Sequence, residues 1–237
     1  MAKQNLWSDK NDRFVLYLDI MGFKERVNRC ETEDLKNDLM SFKTKNNKLK
    51  PLLKSKTKDG ENDLLKMAQF SDSIVVISRS NTKDDLNRIC KAAVILMQTA
   101  MESKFALRGA IAMGQMVFDE SNQLFFGKAL VNAYLLEEQL AYYGVVFHES
   151  VEEIVKNALA SEVIYYPIKD DEVPLKGGKS KHYHVAWYLM TKALSKGDIS
   201  EDAMSWLDNL RTTVSGTPRI YLDNTRKVVE LSKIAVK

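Results

Sequence analysis

Cysteine is close to absent from this chain. Cys30 and Cys90 are the only two in 237 residues, too few for a disulfide framework or a thiolate metal cage, and both fall in helix-like stretches as reduced structural thiols. Proline is scarce too, at four residues, and no proline-rich linker divides the chain. Neither charge sign dominates: 35 basic side chains face 32 acidic ones, for a formal net charge of +3. That balance argues against a dedicated nucleic-acid or membrane-surface protein and points to a small anion, if any. No apolar run approaches the roughly 18 uncharged residues of a spanning helix. The opening MAKQNLWSDKNDR holds no apolar signal segment, so the expected compartment is the cytoplasm. Core material, in contrast, is plentiful. Hydrophobic residues make up 45% of the chain, enough for one sizeable domain of the larger α/β kind.

Periodicity sketches the elements. RFVLYLDI, residues 13–20, is an apolar, β-branched and aromatic run stopped by Met21 and Gly22, which predicts a buried strand with an aspartate near its carboxyl end. A helix is expected over 24–46, then a mobile basic loop over 43–60, where seven lysines accompany Pro51 and Gly60. Asp63–Phe70 and Ile74–Ser78 read as a hairpin pinched around Ser71, Asp72 and Ser73. A helix over 84–104 follows, then strands 105–113 and 115–118 paired about Gly114, a helix over 126–142 and a short strand over 144–147. Beyond 150 a helix, strands over 162–173 and 183–189, and two tail helices from Glu201 complete the reading. This order fits an α+β domain with a mixed or antiparallel sheet and helices on one face. It lacks the regular alternation of a Rossmann fold. No internal repeat is present.

Two aspartates carry the candidate chemistry. Asp19 ends a hydrophobic strand and Asp72 occupies a hairpin turn. Carboxylates in such places can fix divalent cations, which removes the cost of burying them. An aspartate after a strand is equally a helix cap, so the pair alone leaves both readings open. Arg108, flanked by Leu107 and Gly109 in a strand, either meets a phosphate or is buried against a carboxylate. The His182-Tyr183-His184 triplet has only His148 as a further histidine, and ordinary strand residues explain it.

Five fragments stand in order along the chain: LDIMGF at 18–23, FSDSIVVI at 70–77, ALRGAIAMGQM at 106–116, FFGKALVNAYLLEE at 125–138 and PLKGG at 174–178. Together they resemble class III nucleotidyl cyclases, with their D-I-x-G-F strand end, F-G-D-x hairpin, R-x-G-I-x-x-G strand, W-G-x-x-V-N helix and late L-K-G. The resemblance implies a ferredoxin-like catalytic domain over 1–195, with 196–237 as a C-terminal helical extension of it. It also implies two Mn²⁺ or Mg²⁺ ions on Asp19, Asp72 and the Ile20 carbonyl, and a triphosphate on Met21, Gly22 and Phe23 at a helix start, where bulk at Gly22 would block approach. Lys176 would reach the phosphates from a partner subunit, Asn132 would orient the ribose, and Arg108 joins the catalytic set on its phosphate reading.

The departures from the family narrow the substrate. Where purine cyclases place their base readers, this chain has Ala68 and Leu124, whose side chains form no hydrogen bond with a purine edge. Leu136 stands where the family has its transition-state arginine. In this respect the chain is most similar to the Pycsar pyrimidine cyclases of anti-phage defence. That resemblance implies conversion of UTP to cyclic UMP, with CTP to cyclic CMP or a catalytically dead nucleotide sensor as alternatives. Phe14, Tyr17 and Tyr134 are candidates to fill the volume that a smaller base leaves. The implied assembly is a homodimer with two composite sites, and its product is read by a separate cyclic-nucleotide-binding effector.

Overall fold

The computed structural model describes Trp7 and residues 11–57, 60–161, 167–189 and 199–234. Seven strands form the main sheet in the order β10-β11-β9-β6-β1-β5-β4. These are β1 (Asp12–Ile20), β4 (Leu65–Phe70), β5 (Ser73–Ser78), β6 (Leu107–Gln115), β9 (Val145–Phe147), β10 (Ile168–Leu175) and β11 (Gly178–Val185). Every neighbouring pair is antiparallel except β6 with β9. The architecture is therefore α+β with a mostly antiparallel sheet flanked by helices.

The period-two alternation of β1 decides what lies on each side. Phe14, Leu16, Leu18 and Ile20 enter the main core with Leu86, Ile89, Ala93 and Leu96 of α4 (Lys83–Glu102). Val15, on the opposite face, packs with Ile77, Met116 and Ala129, the last from α5 (Lys128–Gln139). Helices thus cover both faces, not one. Truncating a fully buried α4 residue such as Leu96 to Ala would cost about 2–5 kcal/mol through lost transfer energy and a residual cavity. The start of α4 is fixed by Thr82, whose hydroxyl accepts from the Asp85 amide at 3.2 Å, with Asp84 and Asp85 complementing the helix dipole in the first turn.

Several expectations change. The first helix is two, α1 (Phe23–Arg29) and α2 (Thr32–Lys45), because Cys30 turns extended at ψ 150. Cys30 is consequently exposed and outside a helix, whereas Cys90 is buried in α4. The lysine-rich stretch is structured: after α2 come a 3₁₀ turn (Asn46–Leu49), α3 (Lys50–Leu53) and a hairpin of β2 (Lys54–Thr57) with β3 (Gly60–Asp63). Its buried Leu49 joins the main core beside Phe42 of α2, which a count of charges conceals. Gly114 is no hairpin turn. β6 runs through it in register with Arg13, and β7 (Val117–Asp119) pairs instead with β8 (Leu124–Phe126). Residues 162–166, expected to begin a strand, lie outside the described residues. The remaining helices are α6 (Glu149–Ala160), α7 (Ile199–Arg211) and α8 (Thr217–Ile234), the last two being the expected tail helices.

The histidine triplet divides between separate acids. His184 Nε2 lies 3.2 Å from Asp171 and His182 Nδ1 lies 3.9 Å from Glu152. Among the described residues no helix is long and apolar enough to cross a membrane.

Candidate active site

Asp19 is the penultimate residue of β1, on the face that carries Val15 and Tyr17, and its Cα partners are Ser73 on β5 and Arg108 on β6. Asp72 sits in the two-residue turn joining β4 to β5, where Ser71 takes φ 54, a conformation that non-glycine residues rarely adopt. The Ile20 amide donates to the Asp72 carbonyl at 2.9 Å, so the end of β1 is stitched to that turn. Both acids are partly buried. The Asp19 carboxyl is held above its ordinary pKa by burial first and by the charge of Asp72 second, with Arg108 opposing.

No ion pair among the described residues reaches Asp19 or Asp72. Nor do three or more His, Cys, Asp or Glu converge on a cation cage there. Two half-buried carboxylates that repel one another and form no ion pair suit Mg²⁺ or Mn²⁺. Such ions take one or two carboxylates and complete their shells with water and substrate phosphates.

Arg108 takes the second of its two expected arrangements. It is buried at 6% relative exposure, and its Nε bonds the carboxylate of Glu137, which is buried at 2%. Its Nη1 donates to the Leu140 carbonyl at 3.0 Å and to the Tyr221 hydroxyl at 3.4 Å, with the Tyr221 ring 5.8 Å from the guanidinium carbon. Burial raises the Glu137 carboxyl against the opposing pull of Arg108, leaving it at about 7. Glu137 and Tyr221 are the residues that the sequence reading missed. A signal for the first existed: Ala129, Ala133 and Glu137 form the buried i, i+4, i+8 stripe of α5, and a carboxylate on such a stripe needs a partner.

α8 reaches the site through more than Tyr221. Thr225 Oγ1 accepts from the Tyr143 amide at 2.8 Å, Asn224 donates to the Ala141 carbonyl at 2.9 Å, and the Tyr143 and Tyr221 rings stack at 6.1 Å. Met21, just past β1, packs against this small cluster with Leu207 and Leu222.

The other expected site residues are distributed unevenly. Tyr17 lies on the Asp19 face, its hydroxyl 2.8 Å from Ser73 Oγ and its ring 5.5 Å edge-on from Tyr134 of α5. Ala68 pairs with Val75, which pairs with Tyr17, so the three form one cross-strand row. Phe14 does not belong with them. It is fully buried on the opposite face against α4, because its even number places it with Leu16 and Leu18. Leu124 is half exposed on β8 and pairs with Asp119 in the separate two-stranded ribbon. Gly22 precedes α1 with φ 72, and a Cβ there would meet nothing within 4 Å. Within the chain, glycine is required by the left-handed backbone and not by crowding. Phe23 begins α1 and packs at the margin of the main core. Asn132 is partly buried on α5, and Leu136 packs against the main core. Lys176 occupies the β10–β11 turn, its amide donating to the Gln139 carbonyl at 2.7 Å. There it lines an open cleft of about 490 Å³ with Leu135, Glu138 and Lys179.

No family model and no curated protein sequence matches the chain. Solved structures do. The guanylate cyclase domain of RhGC from Catenaria anguillulae, in complex with GTP, is similar at a TM-score of 0.53 and 15% identity, over 74% of this chain and 96% of that one. A bacterial light-regulated adenylyl cyclase gives a TM-score of 0.50 at 11% identity, over 86% of this chain and 57% of that one. The chain thus spans little more than half the length of the second. At these identities the likeness establishes a shared fold, that of nucleotidyl cyclase domains.

Proposed function

We propose that this chain is a nucleotidyl cyclase that converts UTP to 3′,5′-cyclic UMP and pyrophosphate at a site built on Asp19 and Asp72. One observation carries the reading. Two partly buried acids, joined through the Ile20 to Asp72 hydrogen bond and electrostatically coupled, form no ion pair with any described residue, and the Asp19 carboxyl stays raised even with Arg108 opposing. The cyclase fold and the ordered motifs support it.

The reaction is an in-line displacement. The ribose 3′-oxygen bonds to the α-phosphorus, the bond from that phosphorus to the bridging oxygen breaks, pyrophosphate leaves, and the 3′-hydroxyl proton passes to solvent. Bound Mn²⁺ or Mg²⁺ would lower the pKa of the attacking hydroxyl and offset charge on the leaving phosphates. The chain's own residues hold and orient. Asp19, Asp72 and the Ile20 carbonyl would bind the ions, the Met21-Gly22-Phe23 turn the triphosphate, and Asn132 the ribose. Lys176 would be contributed across a two-fold homodimer. Residues 196–237 are taken as part of the same domain, since α8 bonds directly to the backbone of 141–143.

Pyrimidine preference rests on Ala68 and Leu124, neither of which offers a side-chain donor or acceptor to a base. By the Pycsar resemblance, the product would signal to a separate cyclic-nucleotide-binding effector in anti-phage defence. A second reading, an inactive nucleotide sensor, is favoured by one observation: Leu136 points into the core and Arg108 is engaged by Glu137, so neither presents a guanidinium to a transition state.

The test is to incubate purified protein with Mn²⁺ and each ribonucleoside triphosphate, measuring pyrophosphate and separating products by chromatography. Cyclic UMP from UTP is the expected outcome. Dominant cyclic CMP would move the assignment to cytidylate, equal turnover of ATP or GTP would refute pyrimidine selectivity, and tight binding without turnover would leave the sensor.

A further inference from the structure

Asp19 and Arg108 are directly opposite one another on β1 and β6, on one face of the sheet. Cross-strand neighbours hold their Cβ atoms about 4.5–5.5 Å apart, so an ion pair between them is the most local one available. It is not formed. The guanidinium turns away to Glu137, the Leu140 carbonyl and Tyr221, three partners from α5, its following turn and α8.

From this we infer that Glu137 is a positioning residue that draws Arg108 off the Asp19 carboxylate and thereby leaves Asp19 open to a divalent cation. The inference rests on the metal reading above and deepens it. A guanidinium buried next to a carboxylate has strong reason to pair with it, because an uncompensated charge in the interior is costly. Only a second carboxylate, itself buried and correctly placed, offers a competing partner. Glu137 does so from the buried stripe of α5, and Tyr221 closes the other side of the guanidinium with its hydroxyl and ring. Neither residue need touch substrate. Their effect on the cation is transmitted through Arg108.

The arrangement has a signature that a structural role alone would not produce. In Glu137→Gln the charge that holds Arg108 is gone, Arg108 swings to Asp19, and Mn²⁺ competes with a built-in cation. In the double variant Arg108→Met with Glu137→Gln the competitor is removed, and the ion regains access. Mn²⁺ affinity of the full chain, titrated by electron paramagnetic resonance without nucleotide, reads both. Glu137→Gln is expected to bind Mn²⁺ about ten-fold more weakly than wild type, as is common when a residue supporting a metal ligand is lost. The double variant should return to within about three-fold of wild type, since replacing both partners of a buried pair leaves no orphan charge.

A Glu137→Gln chain that binds as wild type, or a double variant as weak as the single one, overturns the inference while leaving the metal reading intact. Wild type that binds no Mn²⁺ at all overturns both. Should Glu137→Gln be too unstable to titrate, Glu137→Asp takes its place. It keeps the charge but shortens its reach, and the double variant's return to the wild-type value remains the deciding comparison.

Discussion

The amide of Ile20 donates to the carbonyl of Asp72 at 2.9 Å, so the residue following one acid is fastened to the other. Asp19 and Asp72 are therefore held by backbone geometry, and their repulsion is not relieved by drifting apart. Asp72→Asn removes that repulsion without touching the carbonyl. The metal-free variant is expected to melt no lower than wild type, yet to lose the stabilisation that Mn²⁺ confers. For a specific site this is about 2.7 kcal/mol at a hundred-fold excess over Kd. Thermal melts with and without Mn²⁺ check both halves, and an Mn²⁺ shift that survives in Asp72→Asn contradicts the assignment.

Stability should depend on pH in a definite direction. Burial, then Asp72, raises the Asp19 carboxyl, and burial brings Glu137 up to about 7. A folded carboxyl with a raised pKa keeps a proton that the unfolded chain has released, so its contribution is full below the unfolded value and is lost as pH rises through the folded one. The Asp19 and Glu137 contribution in metal-free protein is accordingly expected to decline from the ordinary carboxylate range, about pH 4, up to about 7. Asp171, lowered chiefly by its bond with His184, slopes oppositely beneath that window, and His148, lowered first by burial, slopes oppositely inside it. Saturating Mn²⁺ favours ionised Asp19 and should flatten part of the decline in calorimetric scans. In a His148→Gln background, where the opposing histidine slope is absent, a rise in metal-free stability across the window would run against the arrangement described.

The docking of α8 can be probed away from the arginine. Thr225 Oγ1 accepts from the buried Tyr143 amide at 2.8 Å. Thr225→Val keeps the shape but leaves that amide without a partner, at a cost of about 1–3 kcal/mol. Urea unfolding is the measurement. A cost near zero would mean that α8 separates readily from the segment preceding β9.

The strand-end position of Asp19 and the hairpin-turn position of Asp72 are legible in the sequence, for reasons that residues make plain. Asp19 and Asp72 follow from local rules, a strand run halted by Met21-Gly22 and a hairpin pinched at Ser71–Ser73, and local rules need no knowledge of distant partners. Arg108 was recognisable as an anomaly, but its partner was not, since Glu137 lies 29 residues away and Tyr221 lies 113 away. Phe14 went astray through parity: one position along a strand exchanges the faces of the sheet, and aromatic character carries no face. The lysine-rich stretch misled because charge density suggested solvent, while Leu49, beside Phe42 of α2, anchors it beneath. Gly114 suggested a turn, yet β6 continues through it as the partner of Arg13.

That same parity separates two aromatic residues in a final prediction. Tyr17 sits on the Asp19 face with its hydroxyl on Ser73 and its ring against Tyr134, whereas Phe14 faces α4 in the core. If a base occupies the row of Tyr17, Val75 and Ala68, removing the phenol hydroxyl changes how its polar edge is met. Tyr17→Phe is then expected to shift the UTP to CTP ratio of kcat/KM by about ten-fold or more, because a polar group built to meet a base discriminates more strongly than an apolar wall. Phe14→Leu should cost on the order of 1–3 kcal/mol of stability, through lost burial and a residual cavity, and leave that ratio unchanged. Steady-state kinetics with both nucleotides decides between them. A ratio that moves with Phe14 and not with Tyr17 would place the base on the other side of the sheet, away from both aspartates.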